Sequence, residues 1–126
     1  MQPIFKTGKT FVQTLTVAAI IAGRPLPEGT APEILMMSPE EAFGAADAAF
    51  REEGVTDKAS YLAWRDRTRS SLRETAAEIR DLKARIRPLD GNMSDYWSAA
   101  SDLSAARDRF RNLHDARVLG KAWAGA

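Results

Sequence analysis

The chain contains no cysteine. That excludes disulfides, thiolate zinc sites and cysteine nucleophiles, and leaves the redox compartment open. It has a single histidine, His114, so no site that needs two imidazoles exists. Long apolar runs are absent as well. The longest, Val17-Ala18-Ala19-Ile20-Ile21-Ala22, falls far short of the roughly 20 residues of a membrane-spanning helix. Lys6 and Lys9 ahead of this stretch imitate a signal peptide, but Thr and Gln interrupt it and no small-x-small cleavage site follows. The expectation is a cytoplasmic protein with no membrane partner.

What is present fits one domain over residues 1–126. The hydrophobic fraction is 44% and mean hydropathy is −0.33, a globular rather than disordered composition. Net charge is +1, but unevenly spread. Residues 1–57 hold four basic and eight acidic groups, a net of −4; residues 58–126 hold fourteen basic and nine acidic groups, a net of +5. Thirteen of the eighteen basic residues are Arg, whose planar fork suits carboxylate or phosphate.

Residues 1–9 read as a basic N-terminal arm. Thr10-Phe11-Val12-Gln13 fits a capping box, with Gly23 and Pro25 as stop signals, so 11–22 is expected as a helix. The dense Thr, Val and Phe also permit a strand there. Residues 23–37, with Pro25, Pro27, Gly29 and Pro32, form a connector whose apolar end, Ile34 to Met37, should lie on the core. Ser38-Pro39-Glu40-Glu41 is a helix start, with Ser as N-cap, Pro at the first position and Glu closing a capping box. That helix should span 39–53 and stop at Gly54, with Phe43, Ala46 and Phe50 on one face.

Two long helices should follow, about 57–87 and 94–121, separated by Pro88-Leu89-Asp90-Gly91-Asn92. Thr56 or Asp57 caps the first, and Ser94 is expected to cap the second. The first seam is Thr68, Leu72, Thr75, Ile79, Leu82 and Ile86; the second is Ala99, Leu103, Ala106, Phe110 and Leu113. Both follow the four-three rhythm of a coiled-coil pair. Folding the chain at Asp90 pairs residues whose numbers add to about 181, from Leu82 with Ala99 to Thr68 with Leu113. Two periodicities agreeing in register support an antiparallel hairpin about 40 Å long. The next pair is Arg65 with Arg117, after which Tyr61, Trp64, Val118, Leu119 and Trp123 form a second apolar cluster. The fold class is therefore mainly α, a long hairpin with the two shorter helices packed at its open end.

The heptads also segregate charge. Arg69, Arg73, Arg80, Lys83 and Arg87 lie on one flank of the first long helix; Arg107, Arg111, His114 and Lys121 lie on the matching flank of the second. Only Asp66 interrupts them, whereas Glu74, Glu78, Asp81, Asp95 and Asp102 fall on the other side. Arg69/Arg73 and Arg107/Arg111 are like pairs four apart, each costing a few tenths of a kcal/mol. Such a face is solvated, answered by the protein's own acidic helix (Glu40, Glu41, Asp47, Glu52, Glu53), or answered by a partner.

Tyr61, Trp64, Tyr96, Trp97 and Trp123 form an aromatic set. Tyr96 is expected to cap the seam against Ile86, while Trp97, at the loop end, is either a cover for Pro88 and Leu89 or a contact residue. Thr7-Gly8-Lys9-Thr10 imitates the end of a phosphate-binding loop, but Pro3 occupies the place of its first glycine and no strand precedes it. His114 lacks neighbours at metal spacing, and Asn92-Met93-Ser94 is better explained by capping than by glycosylation. Glu40/Glu41 and Glu52/Glu53 are helix-end charges without hydrolytic companions.

No catalytic residue, cofactor or metal site is expected. The expected function is a protein–protein interaction module acting through Arg69, Arg73, Arg80, Lys83, Arg87, Arg107, Arg111 and Trp97, with an acidic protein surface as partner. The alternatives are a nucleic-acid binder contacting phosphates through the same Arg-rich face, and a structural homo-oligomer. Small size and the lack of any catalytic constellation suit an accessory protein of a phage or mobile element, an inhibitor or assembly factor.

Overall fold

The computed structural model describes residues 8–26, 28 and 37–126, with side chains described from Thr14 onward. The arm before Gly8 and nearly all of the connector beyond Leu26, including Ile34 to Met36, lie outside the described residues. Among the described residues there are four helices and no strand: α1 (Gly8–Ala22), α2 (Pro39–Glu52), α3 (Lys58–Ile86) and α4 (Ser94–Ala124).

The 11–22 segment is helical, and it begins earlier than Thr10, which lies inside α1 rather than at its cap. Its β-branched residues are accommodated because Thr14, Thr16, Val17 and Ala18 are all buried, so tertiary packing outweighs their modest helix propensity. Gly23 ends α1 at φ +68°, and Arg24 N–H donates to the Ala19 carbonyl (2.8 Å). Gly54 ends α2 in the same way at φ +83°, with Val55 N–H on the Phe50 carbonyl (2.8 Å). Both are left-handed stops of the Schellman type, a conformation glycine adopts at least cost. At the start of α2 the Ser38 hydroxyl accepts from Glu41 N–H (3.2 Å), with Pro39 at the first position.

Asp57 caps α3 through a reciprocal box: its carboxylate accepts from Ser60 N–H (2.8 Å), and its own N–H donates to Ser60 Oγ (3.0 Å). α4 starts differently from expectation. Met93 is its N-cap, without a side-chain cap, and Ser94 is already helical. The turn residue Asp90 supplies the local bond instead, accepting Asn92 N–H at 3.0 Å. α4 also continues through Gly120 to Ala124.

α3 and α4 form the hairpin, and their seams meet. Thr68, Leu72, Thr75, Leu82, Ala99 and Ala106 are buried; Ile79, Ile86, Leu103, Phe110 and Leu113 are half-buried. The two buried threonines donate to backbone one turn back, Thr68 to the Trp64 carbonyl (2.8 Å) and Thr75 to that of Ser71 (2.7 Å), so neither hydroxyl is left unsatisfied.

α1 runs along α4 and touches α2, which makes a smaller contact with α4. The core lies at this open end: Val17 and Ala18 of α1, Ala42, Ala46, Ala49 and Phe50 of α2, Val55, Trp64, and Ala116 and Leu119 of α4. Phe50 is its centre, edge-on to Trp64 at 5.0 Å and stacked on Trp123 at 4.6 Å. Gly120 lets α4 approach α3 here. A Cβ at that position would stand 2.9 Å from Trp64 Cζ3.

Candidate functional site

The register puts Arg69, Arg73, Arg80, Lys83 and Arg87 of α3 on the same side as Arg107 and Arg111 of α4. There Arg69 and Arg73 of α3 and Arg117 of α4 surround a hollow of about 330 Å³ with Leu72 as its only apolar wall. Arg73, Arg80, Lys83, Arg87, Arg107 and Arg111 are exposed, and Arg69 is half-buried. Arg111 lies 4.0 Å from Asp108 on its own helix. No ion pair joins Arg69, Arg73, Arg80, Lys83, Arg87, Arg107 or Arg117 to a carboxylate among the described residues.

The opposite side differs. A hollow of about 550 Å³ is lined by Glu53, Glu74, Glu78, Arg109 and Asn112 among others, and Arg109 Nη2 bonds Glu78 Oε1 across the hairpin at 2.7 Å. Near the turn, Arg85 shares a hollow of about 290 Å³ with Asp95 and Asp102. The acids therefore have basic neighbours, while the basic flank has few acidic ones.

The acidic helix α2 does not answer the basic flank. Its Glu53 lines the hollow on the acidic side, and Asp47 pairs with Arg51 of the same helix at 2.8 Å. Among the described residues no acid of α2 pairs with an arginine of the hairpin. The physical reason is the packing of Phe50 against Trp64 and Trp123, which holds α2 near the acidic side of the open end.

At the register pair Arg65/Arg117 the structure separates the charges. Arg117 is exposed beside the Arg69/Arg73 hollow, whereas the Arg65 Nε is buried without a hydrogen-bond acceptor among the described residues; Asp66 Oδ1 is 3.9 Å away. The aromatic set splits in two. Tyr61, Trp64 and Trp123 join Phe43 and Phe50 at the open end, while Tyr96 and Trp97 meet edge-to-face at 5.4 Å at the turn. Tyr96 is half-buried, and Trp97 is 65% exposed, more than any other large apolar side chain described. Trp97 stands at the turn end of the hairpin, whereas Arg69 and Arg73 lie near the middle of α3. Trp97 and the hollow are thus separate features of the surface.

His114 is exposed, with Nδ1 3.3 Å from Asp115 Oδ1. Asp115 itself is buried, and its Oδ2 has no hydrogen-bond partner among the described residues. Burial raises its carboxyl above the usual aspartate range, opposed by the hydrogen bond and charge of His114 and by the charge of Arg111. Sequence reading passes over Asp115 because it lies past the last seam residue, on the back of α4. It becomes buried only at the end of α4 that carries the open-end core. No group of three His, Cys, Asp or Glu side chains able to hold a metal occurs among the described residues. Gly8, Lys9 and Thr10, the end of the phosphate-loop-like string, are residues of α1, and Thr7 lies outside the described residues. No described helix is long and apolar enough to cross a membrane.

No protein-family model, curated protein or solved structure matches this chain.

Proposed function

We propose that the protein is a non-catalytic binding module that presents the basic flank of its hairpin to an acidic protein surface. One observation carries this reading. The cations of the hairpin's basic flank have few carboxylate partners among the described residues, while the acids of the other side have Arg109 and Arg85 beside them. Like charges four residues apart repel by a few tenths of a kcal/mol each, and an acidic partner would turn that repulsion into attraction. Charge complementarity of this kind speeds encounter and selects partners. An accessory role, as an inhibitor or assembly factor, fits a rigid arm with no catalytic group on it.

The test is co-purification from native extract, with and without nuclease, comparing wild type with Arg73→Ala/Arg80→Ala. A specific protein captured by wild type, insensitive to nuclease and lost in the variant, supports the proposal. Capture that disappears on nuclease treatment identifies a nucleic-acid binder and overturns it, as does full retention of the partner by the variant.

A further inference from the structure

Resting on that reading, we infer that the hollow between Arg69, Arg73 and Arg117 is the anchor point of the basic flank, and that it takes an acidic helix carrying two carboxylates one turn apart beside an aliphatic side chain. Two features point to this ligand. Arg69 and Arg73 are separated by one helical turn, about 6 Å along the axis. That spacing matches two acids at i and i+4 on a partner helix, and each guanidinium presents the fork that grips a carboxylate. Arg117, from the other helix, adds a third donor group on the far wall.

Leu72 supplies the second feature. It lines the hollow with the three arginines as the one apolar wall, so an aliphatic residue next to the acids gains an apolar contact there. An acidic helix can set an aliphatic side chain on that wall beside its carboxylates, whereas the sugar between successive phosphates offers only a ring that carries an ether oxygen, which favours the helix. The hollow is large enough, at about 330 Å³, for a carboxylate pair and part of a leucine side chain.

The probe is a synthetic alanine-rich helical peptide with one Glu-Ala-Ala-Leu-Glu segment, titrated into the full chain by fluorescence anisotropy at low salt. Saturable binding, weakened at least tenfold by Arg73→Ala and by Arg117→Ala, and also by Gln for Glu or Ser for Leu in the peptide, is the expected result. Inorganic phosphate at the same ionic strength as chloride should compete no better than chloride. The proposal is overturned if the Leu-to-Ser peptide binds as well as the parent, or if phosphate displaces the peptide selectively. If Arg73→Ala and Arg117→Ala leave peptide binding intact while Arg80→Ala and Arg107→Ala abolish capture of a native partner, the anchor falls and the basic-flank reading stands. If neither set changes anything, both fall.

Discussion

Gly120 shows how one residue sets a helix–helix distance. A methyl group there would lie 2.9 Å from the Trp64 ring, and the ring is held in turn by Phe50. Alanine in a helix interior normally gains about 0.5–1 kcal/mol over glycine, but overpacking costs about 1–3 kcal/mol. Gly120→Ala should therefore lower the melting temperature by a few degrees. Gly44→Ala should raise it, because nothing lies within 4 Å of a Cβ in that position of α2. Thermal unfolding of the two variants checks both signs. Asp115 offers a second test. Its folded carboxyl is raised by burial, so the folded state holds its proton more tightly than the unfolded chain. Stability then falls as pH rises from the unfolded aspartate value, near 3.8, through the raised folded value, and the penalty persists above it. Asp115→Asn should stabilise the protein at neutral pH, and that gain should vanish as pH is taken down to about 4. Melting curves across this range would show the opposite slope if the carboxyl were stabilised by its surroundings.

At the scale of the element, the hairpin seam joins the two long helices. Leu82 is 4% exposed in that seam, and Leu82→Ala should cost about 2–4 kcal/mol through lost transfer energy and a residual cavity. Chemical denaturation measures it; a loss under 1 kcal/mol would mean the turn end of the hairpin collapses around the gap. Ser38 acts at a single point, bonding Glu41 N–H. Ser38→Ala should cost about 1 kcal/mol, the usual value for an N-cap. The helix starts at Pro39 and Lys58 were legible in the sequence because Ser38-Pro39 and Asp57 are local signals. The start of α4 was not. Ser94 resembles a cap, yet the turn closes through Asp90, and Met93 takes the cap geometry without contributing a bond. At the other end the helix runs on past the expected 121 to Ala124, with Gly120 inside it packed against Trp64.

For the whole molecule, the charge asymmetry is a matter of binding more than of stability. Arg73 and Arg80 are exposed and lack ion pairs among the described residues. Replacing both with glutamate should leave stability within about 0.5 kcal/mol, or raise it slightly as repulsion with Arg69 is relieved. The same change should remove partner capture. Capture by wild type should also weaken as salt increases, since the Debye length shortens from about 30 Å at 0.01 M to about 8 Å at 0.15 M. Salt-independent capture would place the contact elsewhere, with the exposed Trp97 as the first residue to examine.

The sequence by itself determined the helices and the hairpin, because a repeat of four and three residues is a property of one chain segment and needs no knowledge of its neighbours. Once two such repeats exist with a turn between them, antiparallel pairing follows, and so does the sidedness of charge. The tertiary structure alone decided what lies against what at the open end. No local rule places α2 on the acidic side, buries Asp115 behind α4, or buries the Arg65 Nε. These depend on how Phe50, Trp64 and Trp123 pack together, and such contacts between residues distant in the chain carry no periodic signature. The basic flank was therefore visible from Arg69 to Arg111 as a pattern, while the hollow that Arg117 completes appears only in three dimensions.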